Sequence, residues 1–174
     1  MKAFRFFILM FLPFFAITQS NQILIESHLT KIKNAKKYAL EIANKLPAEK
    51  FDFRPVIEEM SFKEQLVHIG ENLYWLSSTY ISEQNNPLNE KKHNSVDMNK
   101  EDVIQFLASA FDYSHKVIGA LQENNLYKNF NWGSQKLNKF QFLNLIQDHQ
   151  SHHVGQLIVY LRLNNIEPPK YIGW

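Results

Sequence analysis

The sequence predicts an all-α protein built as a four-helix bundle. Four segments repeat apolar residues at steps of three and four, three of them open on a recognisable cap, and no stretch between them reads as a credible strand. A long crossover after the second helix is one option the loop lengths leave open.

Residues 1–20 stand apart from the bundle. Lys2 and Arg5 precede an apolar run from Phe6 to Ile17, and the small and polar residues Thr18-Gln19-Ser20 follow. This is the pattern of a secretory signal peptide; the run is short for a membrane span and Pro13 interrupts it. The expected product is an exported chain, periplasmic or secreted, whose domain occupies residues 21–174.

Helix one is expected over Ser27 to Leu46, where Leu29, Ile32, Ala35, Ala39, Ile42, Ala43 and Leu46 form one stripe and Pro47 ends it. Helix two opens on Ser61-Phe62-Lys63-Glu64, a capping box, and runs to about Ile81. A polar loop from Ser82 to Met98 follows. Helix three starts at Asn99-Lys100-Glu101-Asp102, where asparagine caps and the acids favour the positive helix end, and continues through Phe106, Leu107, Phe111 and Ile118 to Leu121. Residues 124–138, with Trp132-Gly133-Ser134, form a connection. Asn138 then caps helix four, which runs to about Asn165 ahead of Pro168-Pro169.

At 174 residues and 45% hydrophobic content the chain has material for one core. Loss of the leader removes two basic residues and no acid, leaving 17 basic against 17 acidic side chains. A neutral surface without a basic stripe argues against nucleic-acid binding, and the short run Lys31 to Lys37 suits a solvated helix face. There is no cysteine, so stability comes from the core alone and no protein thiol takes part in chemistry.

Three of seven histidines lie in Asp148-His149-Gln150-Ser151-His152-His153-Val154-Gly155-Gln156. On a helix, His149 and His153 sit about 40° past one full revolution and about 6 Å apart along the axis, so both imidazoles lean over one face. Alone, the pair suits either a metal site or a His-rich polar face. His68 lies in a mixed seam with Glu64, Gln65, Asn72 and Trp75, where a single histidine is more often structural. His28, His93 and His115 have no partner at ligand spacing and suit solvent-facing or cap roles. Trp75, beyond His68 on a nearby face, is a candidate pocket wall.

A histidine early in helix two, the run Asp148-His149 through His152-His153-Val154-Gly155-Gln156-Leu157, Tyr160-Leu161-Arg162 and the ending Pro168 to Trp174 together resemble the DinB/YfiT-like family of proposed metalloenzymes. The likeness covers essentially all of residues 21–174. It implies a bundle holding a divalent metal, zinc or nickel, through His68, His149 and His153, and a homodimer. The family's pattern has Arg where Val154 stands, so a charge role there does not carry over. His149 with His152 is the alternative pair; adjacent His152 and His153 point about 100° apart and do not both join His149.

Three protein ligands leave a fourth position for water or substrate, as in catalytic sites. The resemblance implies a thiol S-transferase, joining a low-molecular-weight thiol to a small electrophilic substrate, or a hydrolase. The alternative is a non-catalytic metal-binding or sensing bundle in an exported compartment. Gln150 follows His149 where a zincin helix would carry its glutamate base, leaving Glu64, Glu71 and His152 as candidates for proton transfer.

Overall fold

Every predicted helix is present, and three of the four begin at the residue their caps specify. The computed structural model describes residues 2–89 and 95–174, with side chains of the leading helix described from Asn21 onward. His93 and its expected solvent-facing role lie outside the described residues.

Four helices, α1 (Lys2–Lys45), α2 (Phe62–Leu76), α3 (Lys100–Gly119) and α4 (Lys139–Leu163), form the bundle. Reciprocal capping boxes open the last three: Ser61 with Glu64, Asn99 with Asp102, and Asn138 with Gln141. The expected start of helix one at Ser27 is corrected, since α1 continues unbroken from Lys2 through Pro13. At its other end the chain turns at Leu46 and Pro47. Lys100 Nζ donates to the carbonyls of Asn44 and Leu46 at 3.1 and 2.7 Å, placing a cation where the helix dipole favours one.

After Leu76 the second helix widens into a π-helical segment, Ser77–Ser82, closed by Glu83 in the left-handed region at φ 60°. Buried Lys139 holds this end down, donating to Ile81 O at 2.6 Å and pairing with Glu83 at 2.9 Å. The expectation that helix two reaches about Ile81 therefore holds for the rod, although its last turn is wider than α.

The helices pack in the order α1–α3–α2–α4 around the core, so α1 faces α2 and α3 faces α4 across diagonals. The long loop after helix two consequently joins neighbours. The diagonal crossings are made by segments 46–61 and 120–138, which corrects the placement of the crossover.

The second crossing contains a hairpin where the sequence predicts a simple connection. Strands β1 (Asn129–Trp132) and β2 (Gln135–Asn138) pair antiparallel, with Trp132 opposite Gln135. Gly133 takes φ 58° at the first position of the two-residue turn, a conformation suited to a primed hairpin turn and open to glycine at little cost. The strands are short because their role is to lay Phe130 and Trp132 over the bundle. Tyr80 stacks on Phe142 at 4.0 Å, and Phe130 and Trp132 meet this pair edge-on.

Gly70 marks a close approach of α2 to α3: a Cβ there would lie 2.5 Å from Phe106 Cε1 and 3.0 Å from Cδ1. Gly70→Ala gains about 1 kcal/mol of helix propensity but overpacks the seam at a cost of about 1–3 kcal/mol. Denaturant unfolding is expected to show a net loss of about 1 kcal/mol, the middle of that balance. Unchanged or raised stability would mean that Phe106 swings aside freely.

Candidate functional site

The capping boxes set the phase of the two helices that carry the site. Starting α2 at Phe62 places Gln65 and His68 one turn apart on the side facing α4, and starting α4 at Lys139 brings His149 and His153 round to meet them. The three imidazoles offer one ligand atom each, all within 4.8 Å of one another. His68 Nε2 and His149 Nε2 are 3.1 Å apart, and the His153 ring centroid lies 4.6 and 4.5 Å from those of His68 and His149.

Two nitrogens at 3.1 Å share a hydrogen bond, so one of His68 and His149 carries its proton on Nε2 and the other presents a lone pair. A cation held between them needs both lone pairs. The donating imidazole therefore moves its proton to Nδ1, a change of tautomer with no change of charge. Nitrogens about 2.0–2.1 Å from a tetrahedral ion stand about 3.3 Å from each other, close to the observed pair.

Electrostatics favour the same donor set. Burial first, and then the neighbouring His68 and His152, hold His149 down to about 4; burial, followed by His149, His68 and His152, does the same for His153. Both rings are neutral at pH 7 and keep a lone pair free. Such a cluster is suited to a divalent ion, because bringing three imidazoles together is unfavourable for protons and favourable for a metal.

Behind His153 stands a residue whose role the sequence reading did not assign. Gln65, almost fully buried, places Oε1 2.5 Å from His153 Nδ1. The neighbouring Tyr160 phenol donates to Met60 O at 2.8 Å. An amide oxygen only accepts, so His153 is the donor in its contact with Gln65, from Nδ1. The proton is thus fixed on Nδ1 and Nε2 is left as the donor atom. A polar residue one turn before His68 in an otherwise buried stripe was the available signal.

The other candidates sort by geometry. His152 is exposed, sits edge-on to His153 at 5.0 Å and contributes no atom to the cluster, so the alternative pairing of His149 with His152 is not the one assembled. Val154 is buried. Glu64 is occupied by its cap and by Arg54 at 2.7 Å, which holds its carboxyl below the usual range and keeps it ionised. Glu71 lines the same cleft as His68, a hollow of about 330 Å³ that also takes in Arg54, Glu58, Met60 and Val67. Trp75 is not among its walls; the ring packs 5.5 Å from Trp132 and 6.0 Å from Tyr80, braced by the hairpin. His115 is exposed as expected, but His28 is buried, edge-on to Phe140, correcting its solvent-facing assignment.

The DinB family model matches residues 19–171. YjoA of Bacillus subtilis (strain 168), described as an uncharacterized protein, is 26% identical over 161 residues, spanning 88% of this chain and 96% of YjoA. The crystal structure of that DinB-like protein superposes with a TM-score of 0.70 at 20% identity, covering 84% of this chain and 98% of the other. A DinB-like protein from Bacillus cereus ATCC 10987 gives 0.69 at 12% identity over 84% and 96%. At these identities the two structures speak to the fold.

Proposed function

The chain belongs to the DinB family, and from that premise we propose that it is a metal-dependent enzyme holding one zinc or nickel ion through His68, His149 and His153. The observation that carries the reading is the convergence of three imidazole nitrogens within 4.8 Å, one of them on His68, which lines a cleft. Three ligands leave room for substrate, whereas a closed structural site would draw a fourth from the protein.

A divalent ion here would supply Lewis acidity toward a thiol, a water molecule or a carbonyl group. The remaining work falls to the chain. Gln65 fixes the tautomer of His153, and the Arg54–Glu64 pair borders the entrance to the cleft. Glu71, one turn beyond His68 and in no ion pair among the described residues, is the carboxylate placed to accept a proton in the cleft. The reaction class is transfer of a low-molecular-weight thiol to an electrophile, with hydrolysis as its nearest relative. Cleavage of the leader before residue 21 and export of the domain belong to the same proposal, as does a homodimer.

Metal analysis of protein purified without a polyhistidine tag is expected to find one zinc or nickel equivalent per chain. Failure to bind either ion, or binding indifferent to His68→Ala, would overturn the site. A screen of thiol and electrophile pairs beside esters and amides then separates transfer from hydrolysis.

Gln65→Leu is expected to weaken metal binding by about 10–100-fold, the usual effect of losing a partner behind a ligand, while Gln65→Glu keeps an acceptor and retains most of the affinity. Calorimetric titration reads the difference. Equal affinities in Gln65→Leu and the parent would show that His153 needs no such restraint.

A further inference from the structure

A second cavity, about 540 Å³, lies on a different side of α4 from the three histidines. Gln150, Val154, Ile158 and Arg162 recur every four residues along α4 and form one wall, and Lys31, Ala35 and Tyr38 of α1 form another. The C-terminal segment crosses between them. Asn34 Nδ2 donates to Gly173 O at 3.3 Å, Tyr171 stands edge-on to Tyr38 at 5.5 Å, and Lys31 Nζ sits 4.4 Å over the Trp174 ring. The volume is within the range of small-molecule pockets, about 300–1,000 Å³.

Gly155 lines this cavity in the middle of a long helix, where glycine costs about 1 kcal/mol relative to alanine. Packing does not demand it, since a Cβ at this position would meet nothing within 4 Å. A side chain at this position would take up part of the open space that the glycine leaves. Two cations, Lys31 and Arg162, line the space together with Tyr38, Tyr171 and Trp174, and no Asp or Glu side chain does. Neither cation makes an ion pair among the described residues.

We propose that this cavity binds a small organic anion with an apolar body, of the aryl- or acyl-carboxylate class. Arg162 and Lys31 receive the carboxylate, and Val154, Ile158 and the tail aromatics cover the apolar part. A second copy of the chain suits the surface less well. A two-fold contact would bring the unpaired Lys31 and Arg162 of one copy towards those of the other, an unfavourable meeting of like charges.

The test is calorimetric titration of the full chain with 4-phenylbutanoate and its neutral counterpart 4-phenylbutanol, with EDTA present so that no ion at the histidines can answer to the carboxylate. The carboxylate is expected to bind at least about tenfold more tightly than the alcohol, and Arg162→Gln to reduce that preference by several-fold, with Lys31 keeping the remainder. Gly155→Leu should abolish binding while leaving the fold intact, and Gly155→Ala, which relieves the helix of its glycine, should raise the melting temperature. Equal binding of the two probes, heat from neither, or affinity unchanged in both Arg162→Gln and Gly155→Leu would overturn the proposal. So would light scattering that finds a dimer dissociated by Gly155→Leu.

Discussion

Alanine at His149 is expected to lower affinity for zinc or nickel by more than about 100-fold, exceeding the effect of losing any partner behind a ligand. The same loss is expected at His68 and at His153, because each removes one of only three donor nitrogens. His152→Ala is the internal control: its ring touches His153 but supplies nothing to the cluster, so affinity should stay within about threefold of the parent. Competition against a chromophoric chelator measures all four, with circular dichroism showing that helix content is kept. A His68→Ala protein that binds as tightly as the parent would reduce the site to the α4 pair. A loss at His152 as deep as that at His149 would move the site along α4 and overturn the assignment.

Much of this arrangement was legible in the sequence because its determinants are local. Ser61, Asn99 and Asn138 each stand three residues before a side chain that completes a capping box, so the starts of α2, α3 and α4 follow from spacing alone. The i,i+4 pair on α4 follows from helix geometry in the same way. What joins His68 to that pair is the choice of neighbours. The adjacency of α2 and α4 depends on which connections cross the bundle diagonally, and loop length is a weak guide to that.

The hairpin was missed for a different reason. Its strands are four residues each and partly exposed, too short for alternation to outweigh the polar composition around them. Gly133-Ser134 between Trp132 and Gln135 was the available turn signal, and Phe130 and Trp132 at alternate positions supported it. Trp75 illustrates the consequence. Its position on α2 suggests a pocket wall, but the hairpin sets Trp132 against its ring at 5.5 Å. The roles of Gln65 and His28 likewise depend on residues far away in sequence: Gln65 meets His153, and His28 meets Phe140.

Metal-free protein is expected to lose stability progressively as pH falls from about 6.5 to about 4. An unfolded histidine takes up its proton near 6.5, whereas burial and neighbouring imidazoles hold His149 and His153 at about 4 in the folded chain. Between those values the unfolded state binds more protons than the native state, so each step to lower pH favours unfolding. The contribution is fully present above 6.5 and is lost once pH reaches the folded value. His28, lowered by burial and then by Lys31, acts in the same direction, while Glu64 and Glu83, held down by their hydrogen-bond partners, add a loss that begins below about 4.5. These three groups remain when His149 and His153 are both replaced by asparagine. Urea midpoints of the parent in EDTA should therefore fall more steeply from pH 6.5 to 4 than those of the double variant; parallel curves would show that the two rings protonate normally in the fold. Zinc sharpens the contrast because metal and proton compete for the same nitrogens: added ion should raise the parent's midpoint at pH 7, do little near pH 4, and leave the double variant almost unmoved.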